Sequence, residues 1–251
     1  MSRLFSSGSV LGASGATSTA TRMASNFRKV THCIFDMDGL LLDTEKLYTE
    51  VTQSIADPYG KTFTWEIKQS VMGLQRDPAA AAIVKALDLP MTPEEYVQVS
   101  TEKINQLMSN AQLMPGAERL VRHLHQHNIP IALATSSGAD SVEVKIKNHQ
   151  ELFALFNHKV MGSSDAEVKE GKPAPDIFLV AAKRFPDSPK PDQCLVFEDA
   201  PNGVTAGVSA GMQVVMVPDP HISEEQRKHA TVVLDSLEEF KPEQFGLPAF
   251  E

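Results

Sequence analysis

Cysteine is scarce: the 251 residues contain only Cys33 and Cys194. Each opens an apolar, strand-like run, so the pair reads as small buried hydrophobes in a reducing compartment, not as a disulfide or a metal pair. No apolar run approaches the ~20 residues needed to cross a bilayer, and no membrane partner is expected. Basic charge is short as well, with 23 Lys and Arg against 32 Asp and Glu, a formal net charge of −9. Four of those cations, Arg3, Arg22, Arg28 and Lys29, lie in the first 30 residues, which hold no acid. The remainder is therefore more acidic still. Such a surface argues against duplex nucleic acid, which needs a basic face, and an anionic substrate would need a cation supplied locally. With 42% hydrophobic and 22% charged residues, the chain suits a globular protein of one or two domains.

The first 22 residues, MSRLFSSGSVLGASGATSTATR, are rich in Ser, Thr, Gly and Ala. A secretory signal needs a continuous apolar segment after a basic start, and none follows. The composition fits either a mitochondrial transit peptide or a disordered tail. Residues 1–29 are accordingly set aside from the fold. The expected address is cytoplasmic, or mitochondrial if residues 1–22 act in targeting.

Six short apolar runs recur: HCIF, IPIALA, HKVMG, CLVF, QVVMV and TVVL. Most are continuously apolar, as parallel strands covered on both faces should be. Helical patterns lie between them, including AERLVRHLHQH with its Leu120, Val121 and Leu124 stripe. The alternation predicts an α/β fold, a doubly wound, Rossmann-like parallel sheet. One stretch interrupts it. Between Thr44 and about Leu113 no strand is expected; Leu47, Val51 and Ile55 keep helical spacing. Asp77-Pro78 reads as a helix start with proline at the first position, and Thr92 with Glu95 as a capping box. Residues 44–113 are therefore expected to form a helical cap inserted into a core of residues 30–43 and 114–251.

Acids gather where strands should end. Asp36 and Asp38 close the first strand, i and i+2 pointing to one side, with Gly39 permitting a tight exit turn. Glu198 and Asp199 close the fourth in the same manner. In open α/β sheets ligands bind at such carboxyl ends. Four adjacent carboxylates would repel, and Mg²⁺, bound by a few carboxylates plus water, resolves the conflict. The strand IALA ends on hydroxyls, Thr135, Ser136 and Ser137, followed by backbone N–H groups that could cradle an anion. Lys172, in the proline-flanked loop EGKPAPD, could hold Asp36 as an anion and neutralise a phosphoryl group.

In order along the chain, FDMDG, ATSS, GKPAPD and FEDA resemble the four motifs of the haloacid dehalogenase superfamily, over about residues 31–251. Within it, FDMDGLLLDTE, LMPGAE, LVFEDAPNGV and the tail EQFGLPAFE resemble a subgroup acting on pseudouridine 5′-phosphate. Glycerol-3-phosphate phosphatases share the same phrases. The resemblance implies a Mg²⁺-dependent phosphatase in which Asp36 is the nucleophile and Asp38 the proton donor and acceptor. It also implies phosphoryl binding by Thr135, Ser136 and Lys172. The metal would be held by Asp36, Asp199, the backbone carbonyl of Asp38, and Glu198. Arg76 is a looser candidate for a substrate contact from the cap.

Pseudouridine 5′-phosphate is the first expected substrate, then glycerol 3-phosphate or a sugar phosphate. The rivals are a phosphosugar mutase and, from another class, a catalytically idle metal-dependent binding protein. A monomer is expected. His123 and His127, at i and i+4, read as a wet helix face, since no third ligand accompanies them. GK in EGKPAPD is not a phosphate-binding loop of the nucleotide-kinase type.

Overall fold

The computed structural model describes residues 27–71 and 76–251, with the side chain of Arg76 excepted. The suggested targeting or tail segment, 1–22, lies outside the described residues. So does the Arg76 side chain, on which the cap-contact expectation rests.

All six apolar runs form strands: β1 (His32–Phe35), β2 (Ile131–Thr135), β3 (His158–Met161), β4 (Cys194–Glu198), β5 (Gln213–Met216) and β6 (Val232–Val233). They make one parallel sheet in the order β3-β2-β1-β4-β5-β6. Side-chain alternation divides each strand between two apolar layers. Cys33, Phe35, Leu133, Leu195 and Phe197 enter one cluster; Ile34, Ala132, Ala134, Cys194 and Val196 enter the other. Both sheet faces are thus buried, which is why the strands read as unbroken apolar runs. Both cysteines are free and buried.

Between β1 and β2 lie α1 (Thr44–Ala56), α2 (Trp65–Val71), α3 (Arg76–Leu87) and α4 (Pro93–Leu107), followed by α5 (Ala117–Gln126). The first four share an apolar cluster of their own, built on Val51, Ile55, Ala80, Ile83, Leu87 and Tyr96. The capping box of α4 forms as expected: Glu95 N–H donates to Thr92 Oγ1 at 3.1 Å, and Thr92 N–H to Glu95 Oε2 at 2.7 Å. Helix α3 starts earlier than Asp77-Pro78 suggested, so Asp77 sits inside its first turn. The chain enters and leaves this insertion side by side. Asp43 N–H donates to Gln112 O, and Met114 N–H to Leu41 O, both at 2.9 Å.

The sheet faces are covered by α5, α6 (Ala139–Lys145), α7 (Gln150–Phe153), α8 (Asp176–Lys183) and α9 (Pro201–Ser209); α10 (Glu224–Arg227) is peripheral. The apolar stripe of α5 is buried as expected, but His123 is not wet. It is buried, pairs its Nε2 with Pro248 O at 2.8 Å and packs on Phe250. The C-terminal segment covers this face of α5, with Phe250 packed on His123 and beneath the Arg119 guanidinium. At the other end Phe27 stacks on Phe245 at 4.7 Å, so packing against the core begins inside the segment set aside as a tail. Among the described residues no helix is long and apolar enough to cross a membrane.

Candidate active site

The central strand β1 pairs with β2 on one side and β4 on the other. The carboxyl ends of these three strands therefore converge. Asp36, just beyond β1, is buried, and its backbone N–H donates to Phe197 O at 3.0 Å, fixing it to the tip of β4. Glu198 ends β4 and Asp199 follows it. Oxygens of Asp36, Glu198 and Asp199 lie within 4.8 Å of one another. Lys172, from the loop before α8, reaches into this group. Its Nζ donates to Asp36 Oδ1 at 2.5 Å, to Glu198 Oε1 at 2.6 Å and to Ala134 O at 3.1 Å. The remaining oxygen of Glu198 accepts from the backbone N–H groups of Asp199 and Ala200 at 3.1 and 3.3 Å.

Three carboxylates face one ammonium here, and the protonation balance shows the shortfall. The Asp36 carboxyl stands at about 7, raised by burial and by the charges of Glu198 and Asp38 against the pull of Lys172. Asp199 is driven well above the carboxylate range by burial, then by the charges of Glu198 and Asp36. Lys172 is held well above the ordinary lysine value because its two carboxylate partners outweigh its burial. An all-oxygen donor set with uncompensated negative charge fits a hard divalent cation. Gly39 keeps the site tight: its φ is +80°, and a Cβ there would sit 2.3 Å from Asp199 Oδ2.

Asp38 has different company. Its carboxylate stands outside the three-acid cluster and turns toward β2 and α6. Ser137 Oγ donates to Asp38 Oδ2 at 2.9 Å, Thr135 Oγ1 to the same oxygen at 3.3 Å, and Lys145 Nζ to Oδ1 at 2.6 Å. Burial pushes the Asp38 carboxyl up, but the charge and hydrogen bonds of Lys145 outweigh it and hold it below its ordinary value. Thr135 is buried and its hydroxyl is committed to Asp38, whereas Ser136 is exposed at the strand tip. The structure therefore brings Asp36, Asp38, Thr135, Ser136, Lys172, Glu198 and Asp199 together at the carboxyl end of the central strands.

Sequence reasoning missed Lys145. The signal was faint: it lies three residues after buried Val142, on the inward face of α6, where a lysine needs a reason to be.

A cavity of about 710 Å³ leads from Asp199 and Ala200 into the helical insertion. Its walls carry Phe63, Ile83, Thr52, Ser100 and Asn105.

The family model described as haloacid dehalogenase-like hydrolase matches residues 30–211. A Drosophila melanogaster protein named "Probable pseudouridine-5′-phosphatase" is 67% identical over 89% of this chain and 96% of its own length. The Arabidopsis thaliana "(DL)-glycerol-3-phosphatase 1, mitochondrial" is 46% identical over 95% of this chain and 81% of its own. In fold, a HAD family hydrolase from Deinococcus radiodurans R1, solved with phosphate and sodium, superposes with a TM-score of 0.75. That match covers 88% of this chain and 99% of the other, at 24% identity. The chain belongs to the haloacid dehalogenase-like hydrolase family, and it is a phosphatase.

Proposed function

We propose that this phosphatase hydrolyses a phosphomonoester of nucleoside size, pseudouridine 5′-phosphate first, through an aspartyl-phosphate on Asp36. The observation that carries the reading is the buried Asp36 carboxylate, 2.5 Å from Lys172 and open to the acid cluster at the meeting of three strand tips. Asp36 Oδ attacks phosphorus, and the bond from phosphorus to the ester oxygen breaks. Asp38, which when ionised accepts from Lys145, Ser137 and Thr135, takes up a proton as the ester binds and gives it to the departing oxygen. Water then attacks phosphorus, Asp38 takes the proton back, and the phosphorus–Asp36 bond breaks to release orthophosphate. Lys172, Thr135 and Ser136 would orient the phosphoryl oxygens, Lys172 and Thr135 by exchanging a present acceptor for the ester.

Asp36, Asp199 and the backbone carbonyl of Asp38 would hold Mg²⁺, which supplies positive charge against the phosphoryl oxygens. Glu198 would anchor Lys172 beside the ion and, with lone pairs left on its oxygens, add a ligand to the set. The helical insertion would act as the cap that shields the site from bulk water.

Cavity size favours the larger substrate. About 710 Å³ lies within the range of sites for drug-sized ligands, and glycerol 3-phosphate would leave most of it to water. Apolar walls interrupted by hydroxyl and amide groups suit a base and a ribose. The name of the 67% identical relative points the same way.

The test is a phosphate-release screen with and without Mg²⁺ on pseudouridine 5′-phosphate, glycerol 3-phosphate, FMN and hexose phosphates. The expected result is Mg²⁺-dependent release, with the highest kcat/KM on pseudouridine 5′-phosphate. Asp36→Asn should lose at least ~10³-fold in turnover while staying folded. A flat response would defeat the substrate assignment, phosphate exchange through a bisphosphate would indicate a mutase, and equal behaviour of the Asp36→Asn form would indicate a binding protein.

A further inference from the structure

Two buried ammonium groups serve this site, and the proposed chemistry has used only one. Lys145 closes α6 with its side chain 1% exposed. Its Nζ donates to Asp38 Oδ1 at 2.6 Å and to Ser137 Oγ at 2.9 Å. Ser137 Oγ donates its own hydrogen bond to the other Asp38 oxygen, at 2.9 Å. The ring of Tyr48, from α1 of the insertion, lies with its centroid 5.7 Å from the same ammonium.

Such a pair is a poor way to stabilise a fold. Desolvating two charges costs about as much as their attraction returns, and an apolar side chain beside Val142 would serve packing at least as well. What the pair does fix is direction. Asp38 follows β1 in a short loop, within two residues of Asp36 and close to two other acids. Lys145 draws its carboxylate out of the Asp36–Glu198–Asp199 cluster and holds both oxygens in one orientation. The division of labour is plain: Lys172 faces the acids of the metal cluster, and Lys145 faces the acid left over.

We infer that Lys145 is a positioning residue, which sets the rotamer of Asp38 for proton delivery to the leaving oxygen and proton removal from the attacking water. The inference rests on the reading of Asp38 as the acid–base group. Lys145 itself touches neither the phosphoryl group nor the alcohol.

Leaving groups separate this role from a structural one. An alkyl phosphate needs a proton on its departing oxygen, whereas p-nitrophenolate departs without one. Attack by water needs Asp38 in both cases. The experiment compares wild type, Lys145→Met, Lys145→Arg, Asp38→Asn and the Lys145→Met/Asp38→Asn double variant, as full chains with Mg²⁺. Glycerol 3-phosphate, pseudouridine 5′-phosphate and p-nitrophenyl phosphate are followed in rapid-mixing and steady-state modes.

Lys145→Met should lower kcat on the alkyl esters ~10²-fold, with KM changed by less than about threefold. Its first-turnover release of p-nitrophenol should stay within about fivefold of wild type, while its later steady state falls ~10²-fold, so that a burst appears. Lys145→Arg should recover most of the loss, and the double variant should be no slower than Asp38→Asn alone. Should Lys145→Met fail to fold, Lys145→Gln carries the same comparison with a neutral donor in place.

Equal loss of first-turnover and steady-state rates on p-nitrophenyl phosphate overturns the inference, as does a change in KM alone or additive losses in the double variant. Full activity in a folded Lys145→Met or Lys145→Gln protein overturns it too. If wild type hydrolyses none of the esters, the phosphatase chemistry itself fails. Normal wild-type activity with an unaffected Lys145 variant sinks only the positioning role.

Discussion

At Asp199, burial and two neighbouring negative charges drive the carboxyl well above its ordinary range. A carboxyl raised in this way favours the protonated folded state, so its contribution to stability is present at low pH and is lost as pH rises toward the raised value. Removing the charge should therefore help the metal-free protein. Asp199→Asn, treated with chelator, should melt several degrees above wild type at pH 8, with the gap closing toward pH 4.5. Mg²⁺ should raise the wild-type melting temperature and leave that of Asp199→Asn nearly unchanged. Scanning fluorimetry across pH, with and without Mg²⁺, reads both. A variant less stable than wild type at every pH would show that the cluster is not electrostatically strained. Residues of this kind were legible because the acids end apolar strands, a place where charge has no business without a ligand. Lys145 was not legible, because its partner Asp38 lies 107 positions earlier and only the fold brings the two together.

Helices and strands were readable wherever local chemistry decided them: continuous apolar runs for the parallel sheet, the Thr92–Glu95 box for α4. Long-range packing escaped, as with His123 under the C-terminal segment, since nothing within α5 announces Pro248 and Phe250. The approach of α9 to β4 is a further such contact. A Cβ on Gly203 would fall 1.9 Å from the carboxyl carbon of Glu198 and 2.0 Å from the oxygen that accepts from Lys172. The carboxylate cannot swing aside freely, being tied to Lys172 and two backbone N–H groups. Gly203→Ala should thus cost about 1–3 kcal/mol, as overpacking does. It should also lower kcat by loosening Lys172 from Asp36. Urea unfolding and steady-state kinetics on the same sample check this, and an alanine variant with unchanged kcat would show that Glu198 is dispensable for holding Lys172.

Over the whole molecule, the insertion meets the core at its neck, along α6 and the turn after it, where Tyr48 faces Lys145 and Ser109 and Ala111 accept from Asn148 and His149, and at a side contact far along the chain. The neck is narrow: Leu42 bridges Leu113, and two backbone hydrogen bonds flank them. At the side, the single Trp of the chain, Trp65 on α2, packs at a tilt of 31° against His221 from the loop after β5, ring centroids 4.2 Å apart. His221 Nδ1 lies 2.8 Å from Asp219 Oδ1, and Lys68, one turn on from Trp65, lies 3.4 Å from Glu45. Asp219 and Ile222 form the sheet-side wall of the large cavity, with Phe63 and Val71 opposite. A rocking motion about the neck would open that cavity by drawing Trp65 away from His221, which makes indole emission a direct gauge of closure. Binding of Mg²⁺ with orthovanadate should shift the emission of the wild-type chain. His221→Ala should show little shift and a raised KM, with the chemical step nearly unchanged, because only the closed state loses a contact. Identical spectra with and without ligand, together with an unaltered KM in His221→Ala, would mean that the insertion is a fixed roof and that substrate enters through the side of the cavity.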